Sequence, residues 1–215
     1  MIRMRGLHRS ALVTAAAGAA LLLFAAVALA GSGFKNGNFE TGDFSKWSTD
    51  FRDVCPEPAG WFVSDKKITP VSGNSWFGPA EKEFAAVTDQ VCPSASILYR
   101  TIKIGSKNTR VSFILYYKNR ADLFCSQNDL DETNPCNQEY RVEILRDGSD
   151  PWTTDPNDIL MTLFKTSSSS PFSLGPTKMT FGLGKLSGNV ILRFAMVDTE
   201  FYFNASVDNV QVNNG

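Results

Sequence analysis

The chain has 215 residues, a formal net charge of −1 and no basic run, which argues against nucleic acid as a partner. Its one histidine is His8 in the N-terminal leader, so the remainder cannot use a Ser-His-Asp or Cys-His arrangement or a histidine-bound metal. Aromatic residues make up 12%, and Gly, Pro, Ser, Thr and Asn are frequent, which favours an all-β chain with long loops.

Residues 1–30 read as a signal peptide. Arg3, Arg5, His8 and Arg9 form a basic start, residues 11–30 are almost all Ala, Leu, Val and Phe, and Ala28-Leu29-Ala30 fits a small-x-small cleavage site before Gly31. The alternative is a leader retained as a membrane anchor, since about 20 apolar residues can span a bilayer. Processing would route residues 31–215 to an extracellular, oxidising compartment with no further membrane span. Removing three arginines from a chain of net charge −1 leaves −4. The remaining length suits one domain with a substantial core.

Strand-length runs rich in Val, Ile, Phe and Tyr recur along that domain. Weak candidates at 34–40, 60–64 and 84–88 precede clear ones at 96–104, 110–118 and 139–145. Residues 156–165 fit a helix capped by Asp155 or Asp158, although Ile159–Phe164 also fits a strand. A weak strand at 177–183 and clear ones at 189–197 and 207–212 complete the set. Gly105-Ser106, Gly148-Ser149, Pro151 and Ser187-Gly188-Asn189 mark turns between them. Many short strands with polar loops indicate a β-sandwich or barrel.

Alternation assigns faces. Tyr140, Val142 and Ile144 share one side of their strand, with Arg141 and Glu143 on the other; Val190, Leu192, Phe194 and Met196 lie opposite Arg193. The 110–118 run is apolar on both sides and reads as central. Its Tyr116 can join Arg141, Glu143 and Arg193 on the outer face of one sheet. Four cysteines in an exported chain suggest two disulfides from three possible pairings. Cys125–Cys136 would close a polar loop, leaving Cys55–Cys92; a zinc site lacks any C-x-x-C spacing.

Two motifs bracket the domain: Asn36-Gly37-Asn38-Phe39-Glu40-Thr41-Gly42-Asp43-Phe44-Ser45-Lys46-Trp47 and Val207-Asp208-Asn209-Val210-Gln211-Val212. Together they resemble the first and last strands of the galactose-binding-like jelly roll, the fold of many carbohydrate-binding modules. Pro70–Trp76, Tyr140–Ile144 and Leu192–Ala195 resemble its early loop, middle strand and late strand. The resemblance implies a jelly-roll β-sandwich with both terminal strands in one sheet. It also implies a structural calcium held by Glu40 and Asp208, with Asn38, Thr41 and Gly42 as neighbouring oxygen donors. The chain departs from the pattern in its acidic Cys125–Cys136 loop and its long segments at 50–70 and 146–176.

Asn128–Glu132 lacks the Gly and distal Glu of a calcium loop and reads as a solvated acidic turn. Trp47, Trp61 and Trp76 sit beside apolar strand residues and read as core; Trp152 lies among loop residues and reads as exposed. Tyr116, Arg141, Glu143 and Arg193, with Trp152, are the candidate ligand-binding residues, against the alternative of an ion-pair network on the sheet. Asn204-Ala205-Ser206 is a glycosylation sequon. A carboxylate pair is the one common catalytic device left, and nothing singles one out. The expected function is therefore that of a secreted, non-catalytic, lectin-like protein binding an extracellular glycan or cell-surface polysaccharide. The rivals are a structural or adhesive extracellular sandwich without a sugar site, and a small carboxylate-dependent glycoside hydrolase.

Overall fold

A computed structural model describes residues 34–105 and 109–213, so the leader and its cleavage site lie outside the described residues. Ten strands form: β1 (Ser48–Asp53), β2 (Gly60–Ser64), β3 (Ala85–Asp89), β4 (Ser94–Ile104), β5 (Arg110–Asn119), β6 (Glu139–Arg146), β7 (Ile159–Lys165), β8 (Ser173–Gly182), β9 (Gly188–Asp198) and β10 (Phe203–Asn213). They pair antiparallel into two five-stranded sheets, ordered β1-β4-β9-β6-β7 and β2-β3-β10-β5-β8. No helix occurs among the described residues, and 156–165 resolves as β7. None is long and apolar enough to cross a membrane.

The inner faces carry the alternating apolar sets. Tyr140, Val142, Ile144, Leu192, Phe194 and Met196 from the first sheet meet Phe113, Leu115, Tyr117, Phe203, Ala205 and Val207 from the second in one core. Edge-to-face rings run through it, including Phe113–Phe194 at 5.3 Å and Tyr117–Phe203 at 5.9 Å between centroids. Trp47, Trp61 and Trp76 are all buried, as expected. The disulfides are Cys55–Cys92 and Cys125–Cys136, with Cα atoms 6.2 and 5.5 Å apart.

Two expectations change. Residues 34–40 form a turn instead of a strand, because Asn36 and Phe39 take left-handed backbone angles (φ 53° and 57°). The turn docks on β10 where Val210 N donates to Gly37 O at 2.7 Å. The second change is that Tyr116 and the charged residues occupy different sheets, since β5 pairs with β10 and β8 while β6 and β9 pair with each other. Period-2 alternation gives a side chain's face, not the sheet its strand joins.

Gly37 carries the N-terminal docking. A Cβ there would sit 2.0 Å from Val210 O, which is backbone and cannot swing away. Gly37→Ala is therefore expected to cost about 1–3 kcal/mol in chemical denaturation, as overpacking does. Gly182→Ala, which would meet nothing within 4 Å, should stay within about 0.5 kcal/mol of the parent.

Candidate functional site

Arg141, Glu143 and Arg193 do share the outer face of the first sheet, and that face is closed. Arg193 is fully buried; its Nη1 donates to Pro151 O at 2.7 Å and Thr153 O at 2.8 Å, and its Nη2 pairs with Glu143. Arg141 pairs with Glu139, lies 3.9 Å from Glu143 and donates to Asp129 O at 3.2 Å. Lys165 closes the chain of charges on Glu139 at 3.3 Å. Burial lowers the Arg141 guanidinium, and Glu143 pulls it back up. Loops 120–138 and 147–158 lay Leu130 and Trp152 over Ala95, Ile97, Ala195 and Val197. Trp152 is half-buried: its Nε1 donates to Asp50 Oδ2 at 2.8 Å, and the Arg52 guanidinium sits 4.2 Å over its ring.

Tyr116 faces outward from the second sheet beneath loop 65–84. Its ring stacks on Trp76 at 5.9 Å and 5° between planes, with Phe77 edge-on. Burial, then Asp208, pushes its phenol well above the usual tyrosine range. Asp89 pins the same loop by accepting from Val71 N (2.6 Å) and Ser72 N (2.9 Å). Asn204 is buried and donates to Thr88 O at 2.9 Å, so the sequon asparagine is occupied inside the second sheet.

The expected calcium ligands are drawn to one loop. Asp208 Oδ2 accepts from Ala80 N (3.1 Å) and Glu81 N (2.9 Å), and Glu40 Oε1 accepts from Glu83 N (3.2 Å) and Phe84 N (3.1 Å). Asn209 N donates to the other Asp208 oxygen at 2.6 Å. Asp208 is buried and has no ion-pair partner among the described residues; burial, with Glu81 adding to it, pushes its carboxyl up to about 6. A carboxylate in that position fits a cation, while the amides already hold three of its acceptor directions. Thr41 Oγ1 is turned to Asp43 Oδ1 at 2.6 Å. Among the described residues the one cluster of three metal-ligating side chains is Asp53 with Cys55 and Cys92, whose sulfurs are joined.

An open cleft of about 130 Å³ lies elsewhere, where the β3–β4 and β9–β10 loops meet. The Cys92 and Pro93 side forms one wall, and Phe201 and Tyr202 form another, their rings 4.9 Å apart. Phe201 is 54% exposed. Gln90 and Asp198 lie at its base, both buried, with Glu200 at its rim. Gln90 Nε2 donates to Asp198 Oδ2 at 2.5 Å and to Phe203 O at 2.9 Å. Gln90 Oε1 is closed off from solvent without a hydrogen bond, and the Asp198 carboxylate, also closed off, draws on Gln138 and Glu200 N besides Gln90 and Phe203 N. A roomier cavity of about 360 Å³ beside Cys125 is lined by Phe124, Ser126 and Lys165–Ser168, and its one charge, Lys165, is spent on Glu139. Buried acceptors beside the exposed ring of Phe201 make the smaller cleft the better binding site.

Strand alternation does not reach the cleft, because apart from Asp198 at the end of β9 its residues lie between strands. The available signal was the pair Phe201-Tyr202 in a short connection between two core strands, where burial does not explain an aromatic ring.

No protein-family model and no curated protein matches this chain. Solved structures do match. TmCBM61, solved in complex with beta-1,4-galactotriose, overlaps 86% of this chain and 99% of its own at 12% identity and a TM-score of 0.52. The K3 cleaved adhesin domain of Lys-gingipain from Porphyromonas gingivalis W83 overlaps 83% and 97% at 14% identity and a TM-score of 0.49. The CBM22-1 xylan-binding domain of Paenibacillus barcinonensis Xyn10C overlaps 82% and 90% at 10% identity and 0.42. The first of these likenesses shows the fold, a galactose-binding-like jelly-roll sandwich.

Asp198 sets a pH dependence. Burial raises its carboxyl from an ordinary 3.8 to about 6, against the pull of Gln90, Phe203 N and Gln138. Between those values the folded chain keeps a proton that the unfolded chain has lost, so stability falls as pH rises through the window and stays lower above it. Two pH units correspond to about 3 kcal/mol. Unfolding free energies at pH 4 and pH 7 are expected to differ less in Asp198→Asn than in the parent; equal differences would remove Asp198 as the cause.

Proposed function

We propose that this chain is a secreted, non-catalytic carbohydrate-binding protein that holds an extracellular glycan in the cleft between the β3–β4 and β9–β10 loops. The observation that carries the reading is the meeting of the exposed Phe201 ring and the half-buried Tyr202 ring with the buried acceptors of Gln90 and Asp198 in one cleft. A sugar offers both complements: an apolar C–H face for an aromatic quadrupole and hydroxyl donors for carboxylate and amide oxygens. The volume suits about one sugar ring, so the cleft would grip a terminal or single internal residue. The buried network around Arg193 then acts as scaffold, and Trp152 as a clasp on the covering loop.

Binding of galactan and xylan oligosaccharides, read by glycan array and calorimetry, tests this reading. Phe201→Ala should weaken binding by about 2 kcal/mol, near thirtyfold, as loss of an aromatic anchor does, with stability unchanged. Trp152→Ala should leave affinity within about twofold. A parent that binds no glycan leaves the adhesive reading, which Phe51 in β1 and Val54 just after it favour, being 48% and 50% exposed. Cleavage of a bound oligosaccharide, lost in Asp198→Asn, would instead establish the hydrolase.

A structural calcium belongs to the same reading, with Glu40 and Asp208 as its carboxylates and Asn38, Thr41 and Gly42 as its further oxygen donors. Binding to the folded state alone raises the melting temperature by mass action. Millimolar calcium should therefore raise it over chelator in the parent and not in Asp208→Asn. Equal melting temperatures in calcium and chelator leave the two carboxylates as amide clamps on loop 80–84.

A further inference from the structure

The charged groups that line the cleft are of one sign. Asp198 and Glu200 line it, and no Lys, Arg or His does. Asp53 stands behind the disulfide wall, its carboxylate within 4.8 Å of the Cys55 and Cys92 sulfurs. Arg120 is joined to the Phe201–Tyr202 loop through its backbone N, which donates to Tyr202 O at 3.0 Å. Its guanidinium points to Asn204 Oδ1 at 2.7 Å and to Ser75 O, neither of which lines the cleft. The Glu200 carboxylate is held in place, since its Oε1 accepts from Cys136 N at 2.8 Å. The Cys125–Cys136 disulfide thus fixes a negative charge at the rim.

We infer that the cleft selects uncharged sugars by their hydroxyl donors and rejects anionic ones, namely uronic acids and sulfated residues. This rests on the glycan reading and narrows it to a substrate class. The Gln90 and Asp198 oxygens at the base are acceptors, so the matching ligand group is a donor. A carboxylate or sulfate presents oxygens alone and brings a second negative charge beside Asp198 and Glu200. Like charges placed together in a partly desolvated site oppose binding strongly. An uncharged ring carries vicinal hydroxyls that can each donate, and its C–H face stays free for Phe201.

The test compares matched neutral and anionic probes: unsulfated and sulfated galactan oligosaccharides, and galactose and galacturonic acid oligomers. Neutral probes should bind at least roughly tenfold more tightly at 0.1 M salt. Raising salt to 1 M shortens the screening length from about 10 Å to about 3 Å and should narrow that ratio. Glu200→Gln should narrow it at low salt as well. Anionic probes that bind as tightly as neutral ones, with both weakened by Phe201→Ala, overturn the charge selection and leave the glycan site standing. Binding that ignores Phe201→Ala, or is absent for every probe, overturns the glycan reading itself and this inference with it.

Discussion

Arg193 governs what the rest of the structure can be. A guanidinium with no exposed surface must have its charge and donors met inside the protein, because an isolated buried charge costs several kcal/mol. Glu143 meets the charge from the neighbouring strand β6. Nη1 reaches the carbonyls of Pro151 and Thr153, so the 147–158 loop is held against the sheet by the same residue that needs it, while Nε stays without a partner. Arg141 repeats the arrangement on Asp129 O, in the loop closed by Cys125–Cys136. Ionic groups on the outer face therefore hold two loops down, and those loops keep water off the ionic groups.

The second sheet reaches the same state by different chemistry. Its outer face carries Tyr116, Ala85, Val87 and Ile114, covered by Trp76 and Phe77. Asp89 and Asp208 are the polar fastenings, each accepting backbone N–H groups of the covering segment. With both broad faces roofed, the ends of the strands are where an open concavity remains, and the cleft at Phe201–Tyr202 lies there.

This arrangement explains what the sequence discloses. Strands with one apolar and one polar side, such as β6 and β9, are legible from alternation, and their charged sides were placed correctly. β1 escaped because Ser48–Asp53 is an exposed edge with a single large apolar residue, Phe51. β5 read as central because it is apolar on both sides, yet it stands second from the edge, roofed by Trp76. A roofed face and a buried strand give the same composition. Arg141, Glu143 and Arg193 looked like a ligand floor for that reason: residue type shows that a charge needs partners, and only the fold shows that the partners are its own loops. The cleft was illegible because turn residues have no period to read, and Asp198 joins Gln90 across 108 residues.

The position of β10 has a consequence for how the chain comes into being. Residues 203–213 are the last strand in order, and they occupy the middle of their sheet, bonded to β3 on one side and β5 on the other. Synthesis delivers β2, β3, β5 and β8 first, as two pairs with a gap one strand wide between them. Until Phe203, Ala205 and Val207 arrive, the core lacks a row of its own packing and two strands keep unpaired edges. Folding of the sandwich thereby waits for its tenth strand, which makes the earlier strands depend on protection from aggregation for that interval.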